Sequence, residues 1–146
     1  MNAISLLRKE HTKVRAIFSK ISKKNHQYAT RKKQLANLCQ DLIRHEMMEH
    51  RVWYPAFKNN KKIKSEVRHL LSEEKHAEKA IKQFKKIKSK EEWEIKFSKF
   101  KKAVKHHARE EETKLFPNVK KILTKAELEK IGKKMRKFNQ TYRTKK

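Results

Sequence analysis

Residues 44–57 read RHEMMEHRVWYPAF, and residues 106–119 read HHAREEETKLFPNV. Each contains a His-x-x-x-Glu pair followed, six residues after the glutamate, by a proline with an aromatic residue just before it. In the first block these are His45, Glu49, Tyr54 and Pro55; in the second, His107, Glu111, Phe116 and Pro117. Histidine and glutamate four residues apart stand on one face of a helix. The sequence around them is helical in period. Leu35, Leu38, Leu42, His45, Glu49, Val52 and Ala56 advance by threes and fours, as do Trp93, Phe97, Phe100, Val104, His107 and Glu111, with Leu115 beyond.

The same rhythm extends outward. Ile4, Leu7, His11, Val14, Phe18 and Ile21 form a stripe near the N-terminus. Val67, Leu70, Ala77, Ile81 and Phe84 form another, with Glu73, His76, Ala80 and Ile87 along its edge. Breaks near residues 24–28, 58–62 and 88–91 separate four helices, and short connections make neighbours antiparallel. The expected fold is all-α: an up-down-up-down four-helix bundle over residues 1–120. Residues 121–146 are expected to add a short C-terminal helix and a basic tail to the same domain. That helix starts at Thr124, where Glu127 completes a capping box, and Gly132 is its expected end. From Lys133 the tail is expected to be only partly ordered.

Composition supports this class. One glycine and two prolines in 146 residues leave almost no turn chemistry for hairpins. The single cysteine, Cys39, excludes an internal disulfide and reads as a small core residue. No apolar run approaches the ~18 residues of a membrane helix, and the first residues lack the apolar centre of a secretory signal, so a cytoplasmic location is expected. The formal charge of +26 attracts polyanions.

Polar residues interrupt the seams where chemistry is expected. His11, His45, Glu49, His107 and Glu111 stand where the period calls for Leu or Val, and His76 lies at the edge of the third seam. An unpartnered buried carboxylate costs several kcal/mol or takes up a proton. Two glutamates, each one turn after a histidine, share an explanation if a metal binds between them. Histidine with carboxylate suits iron or manganese, and open positions fit redox or oxygen chemistry. In the second block His106–Glu110 and His107–Glu111 both satisfy the spacing. Counting from Phe97, Phe100 and Val104 selects His107 and Glu111.

These residues carry a resemblance. His11 in LLRKEHTKV, HEMME with WYP downstream, His76 in EEKHAEKAI, and HHAREEE with LFP downstream resemble the hemerythrin-like domain of the HHE cation-binding type over residues 4–120. The resemblance implies two non-haem iron ions in an oxo- or hydroxo-bridged centre. By it, His11, His45, His76 and His107 are terminal ligands, and Glu49 and Glu111 are bridges. Glu46 matches an acidic residue that adds a ligand in some iron-sensing members. Oxygen-carrying members have two histidines one turn apart on the third helix. Here the positions one turn from His76 are Ser72 and Ala80. The implied function is binding of, or reaction with, O2, peroxide or nitric oxide, or sensing or storage of iron.

The other reading is a basic helical module for nucleic acid or another polyanion, with a structural metal. Dispersed lysines without a nucleic-acid motif also suit a plain solvated surface. His26 and His50 are expected to face solvent, and His69 to be structural or to support a ligand. Glu73 makes Glu-x-x-His with His76, the pairing of ferritin-like di-iron bundles, and is a rival first ligand on the third helix.

Overall fold

The computed structural model describes residues 1–144, and they form helices with no strand among them. Four helices make the bundle: α1 (Ala3–Ile21), α2 (Tyr28–Met48), α3 (Lys64–Phe84) and α4 (Lys90–Glu110). Two follow: α5 (Phe116–Ile122), which prolongs the line of α4, and α6 (Lys125–Thr144). Local chemistry sets the starts. Asn2 Oδ1 accepts from the Ser5 N–H at 2.9 Å and Ser89 Oγ from the Glu92 N–H at 3.1 Å, each satisfying a donor that the first turn leaves free. The capping box of α6 forms as read, with Thr124 N–H donating to Glu127 and Glu127 N–H to Thr124 Oγ1 at 2.9 and 3.1 Å.

The interior has three layers along the bundle axis. One apolar cluster gathers Leu7, Met48, Trp53, Ile63, Leu70, Leu115 and Phe116 with residues of α6. The other gathers Phe18, Ile21, Leu35, Leu38, Trp93, Phe97 and Phe100, together with Cys39. Between them the polar residues of the seams meet. Buried Arg31 closes the second cluster: its Nε donates to the Ile21 carbonyl at 2.7 Å, its guanidinium pairs with Glu94, and it lies over the Trp93 ring. It therefore satisfies a carbonyl at the C-terminus of α1 while covering the aromatic end of the core.

Both prolines are accommodated by a change of helix type. The backbone bond from Tyr54 N–H reaches Glu49 O, and that from Phe116 N–H reaches Glu111 O, making five-residue π turns over Glu49–Trp53 and Glu111–Leu115. A proline removes an N–H and crowds the carbonyl four residues back, and an inserted residue relieves that conflict. The insertion also shifts the buried face. Val52 and Ala56 were expected on the seam, but Ala56 is exposed and Val52 half-buried. Trp53, Tyr54 and Phe57 take the interior instead, each no more than 4% exposed.

The C-terminal region departs from expectation. Gly132 does not end a helix: α6 runs through it to Thr144, so the expected loose tail is helical as far as it is described, with residues 145 and 146 outside the described residues. The glycine serves close packing. A Cβ there would lie 2.7 Å from Met1 O, 2.9 Å from Ala3 N and 2.9 Å from Asn2 C, all backbone atoms. Leu128, Ile131 and Met135 of α6 join the first apolar cluster beside Ala3 and Ile4, and Arg136 donates to Met1 O at 2.6 Å.

Gly132→Ala brings opposing effects: a gain of up to ~1 kcal/mol from helix propensity and an overpacking cost of ~1–3 kcal/mol. Because every contacted atom is backbone, we expect the cost to win. Denaturant unfolding should show net destabilisation, and a neutral or more stable variant would contradict the close approach of α6 to the chain's first residues.

Candidate metal centre

The middle layer is built around Glu49 and Glu111, which open the two π turns and have no solvent exposure. Both oxygens of each carboxylate lack a hydrogen-bond partner, as does His107 Nε2. Imidazoles stand close by. His11 Nε2 lies 3.5 Å from Glu111 Oε1, His107 Nε2 lies 3.3 Å from the same atom, and His45 Nε2 lies 3.4 Å from Glu49 Oε1. These contacts are too long or misaligned to satisfy the carboxylates. They suit a shared ion, because two atoms each about 2.1 Å from one metal and at right angles stand about 3.0 Å apart.

Two groups of potential ligand atoms overlap here. His11, His45 and Glu111 form one, Glu49, His107 and Glu111 the other, and within each the atoms lie within 4.8 Å of one another. Glu111 belongs to both. Five of the six residues singled out from the sequence thus meet. His76 does not: it is exposed on α3, at the wall of the adjoining cavity, and lies outside both groups.

From α3 it is Glu74 that reaches the layer, 2% exposed, with Oε2 3.3 Å from His107 Nε2. Its sequence signal was available. Val67, Leu70, Glu74, Ala77, Ile81 and Phe84 complete an unbroken three-four rhythm, whereas a seam drawn straight from Leu70 to Ala77 skips a turn. Tyr54 O–H donates to Glu74 at 3.0 Å, and His50, 43% exposed, approaches its other oxygen at 2.6 Å.

Each inward histidine is held from behind by a carboxylate. His11 Nδ1 is 2.8 Å from Glu112, His45 Nδ1 is 2.6 Å from Glu10, and His107 Nδ1 is 3.0 Å from Glu73. An ionised carboxylate only accepts, so each Nδ1 carries a proton, and Nε2 is the nitrogen left to turn toward the centre and to bind an ion there when it gives up its own proton. This arrangement orients metal-binding imidazoles and raises their basicity. Guanidinium groups secure the outer carboxylates: Arg15 on Glu112 at 2.7 Å, Arg44 on Glu10 at 3.2 Å. Burial disfavours the Glu10 charge, yet His45 and Arg44 hold its pKa down to about 2. From α6, Asn139 bonds both Arg44 and Glu10.

The field at the centre favours a cation. Burial first, and the facing charge of Glu111 second, push Glu49 well above the ordinary carboxylate range. His107 is pulled up to about 12 despite its burial, by Glu111 and Glu74. A cavity of about 410 Å³ adjoins the layer, walled by Val14, Leu42, Ala77, Ile81, Phe84, Phe100 and Val104. Glu46 lies on its wall, outside both ligand groups. Burial, then the charge of Glu74 and a hydrogen bond with Glu78, raise its pKa to about 9.

A carboxyl with a raised folded-state pKa stabilises the fold below its unfolded pKa, and that contribution is lost as pH rises through the folded value. For Glu46 the window runs from 4.5 to about 9. In chelator-treated protein we expect Glu46→Gln to match the parent near pH 4.5 and to exceed its stability by ~1 kcal/mol or more at pH 8, discounted for partial exposure. Parallel pH profiles for the two would show that Glu46 is ionised freely in the fold.

The comparisons agree with the geometry. The model of the hemerythrin HHE cation binding domain matches residues 2–119. Searches of curated proteins and of solved structures gave no match. With that match across all four bundle helices, the chain belongs to the hemerythrin HHE cation-binding domain family.

Proposed function

We propose that the chain holds a non-haem pair of iron ions, with His11, His45 and Glu111 serving one and Glu49, His107 and Glu111 the other. Glu74 stands beside the second group in the place expected of His76. The observation that carries this reading is the pair of fully buried carboxylates whose four oxygens have no hydrogen-bond partner, faced by imidazole Nε2 atoms 3.3 to 3.5 Å away. Mixed imidazole and carboxylate donors suit iron, and a pair in such a set supplies redox chemistry and open positions for a small ligand. The ligand class is O2, peroxide or nitric oxide, with iron sensing or storage as the alternative use of the same centre.

The chain's own groups have separate tasks. Glu10, Glu73 and Glu112 keep the protons on Nδ1 and so fix three imidazole planes. His50 and Tyr54 both meet Glu74, which links the exposed His50 edge to the centre and offers a path for a proton. Apolar side chains line much of the cavity beside the centre and lower the local polarity on that side.

A cleft lined by Lys101, Lys102, Lys105 and Arg109 favours the second reading, polyanion binding. Its expected signature is duplex DNA binding without sequence preference that collapses from low to moderate salt. No binding at low ionic strength would remove it.

For the centre, protein purified without a chelating resin and desalted should hold two irons per chain and absorb in the near-ultraviolet under air. Iron loading should raise the melting temperature, because an ion that binds only the folded state stabilises it. His107→Ala and Glu49→Gln should each lower iron to one per chain or fewer, while His106→Ala, Glu110→Ala and His76→Ala keep two. One zinc per chain, with no iron uptake under anaerobic loading, would overturn the two-iron reading. Iron lost in His76→Ala but kept in Glu74→Gln would restore His76.

A further inference from the structure

The sequence contains two more His-x-x-x-Glu pairs, His69–Glu73 on α3 and His106–Glu110 on α4. The second is offset by one residue from His107–Glu111, about 100° around the helix, and so faces out of the bundle. The structure brings these pairs together on the α3–α4 surface. His69 Nε2 lies 2.9 Å from Glu110 Oε2 and 3.5 Å from Glu73 Oε2. His106 Nε2 lies 2.6 Å from Glu110 Oε1 and 3.6 Å from the same Glu73 Oε2. Ligand atoms of His69, Glu73 and Glu110 all fall within 4.8 Å of one another.

We propose that His69, Glu73, His106 and Glu110 form a separate, solvent-accessible site for a divalent transition-metal ion of the zinc, copper or nickel type. Two imidazoles and two carboxylates are an established donor set for such ions. Each helix supplies an i, i+4 pair, so the backbone already aligns the donors and little order remains to be imposed. The competing state is a set of exposed ion pairs: the imidazoles are 57% and 59% exposed. Exposed pairs contribute about 0–1 kcal/mol, so they compete weakly with coordination. The two carboxylates offset a dication's charge locally, and at physiological salt the chain's distant positive charges are screened beyond about 8 Å.

This outer site also touches the inner one. Glu73 Oε1 accepts the Nδ1–H of His107 at 3.0 Å, while Oε2 faces the outer imidazoles. An ion on Oε2 draws charge from the carboxylate that orients His107, and occupancy outside alters the donor strength of that imidazole. This coupling rests on the function proposed above; the outer site itself does not.

Calorimetric titration of the iron-loaded protein with Zn2+ should reveal one additional ion per chain with micromolar affinity. The double variant His69→Ala/His106→Ala should weaken it about tenfold or more, and His26→Ala should leave it unchanged. The same Zn2+ should still bind Glu49→Gln, whose change lies in the inner centre, so the outer site is judged even if the protein holds no iron. No additional ion, or one whose affinity the double variant keeps, overturns the site. Zn2+ should also shift the iron absorption of the parent and not that of the double variant; a parent spectrum that stays fixed at Zn2+ saturation overturns the coupling.

Discussion

Two carboxylates buried within one layer of a low-dielectric core make the demand that organises this protein. Glu49 and Glu111 have no exposure, and the facing charge of Glu111 adds to the burial that opposes charging Glu49. Around them the side chains alternate in character from the axis outward. Imidazoles come first, then the carboxylates of Glu10, Glu73 and Glu112, then the guanidinium groups of Arg15 and Arg44. Every shell answers the one inside it. The apolar clusters above and below keep water from dissolving the order, which is why a bundle of modest size devotes its central layer to polar atoms.

The prolines explain how the chain presents those glutamates. Each glutamate is the first residue of a π turn, and the turn exists because a proline six residues later cannot continue an α-helix. The extra residue lets Glu49 and Glu111 stay on the inner seam while Trp53 and Phe116 rotate beneath them. Those two rings pack edge to face at 5.9 Å and floor the layer, and the Phe116 ring also stacks on His11. The same local device on two helices therefore positions the pair of buried glutamates and the platform under it.

Much of this was legible because helical period is a strong signal. Four seams, the breaks between them and the interruption of three of them by histidine or glutamate can be counted along the chain. The rule that selected His107 over His106 used only Phe97, Phe100 and Val104. What failed had local causes. Skipping one turn of α3 hid Glu74, the residue of that helix whose side chain reaches the central layer. The seam past Glu49 slipped by one residue because period counting assumes an unbroken α-helix, whereas Leu115 beyond Glu111 is buried as read. Gly132 suggested a helix end because glycine has two uses, and only the facing backbone of Met1–Ala3 tells them apart. The carboxylates behind the imidazoles were out of reach altogether. Glu10 meets His45, and Glu112 meets His11, across different helices, so their pairing depends on how the helices cross and not on any spacing within one.

The close approach at Gly132 has a consequence for the order in which the chain can be completed. The backbone of Met1–Ala3 lies under α6, and Arg136 holds the Met1 carbonyl. Helix α1 comes first in the chain and α6 after all the others, so the first turn of α1 cannot find its native surroundings until α6 has been made. During synthesis the bundle helices emerge before the element that covers Ala3 and Ile4 and braces Arg44 and Glu10 through Asn139. Docking of α6 therefore closes a late helix onto the start of α1, and the support behind His45 is set only when α6 arrives.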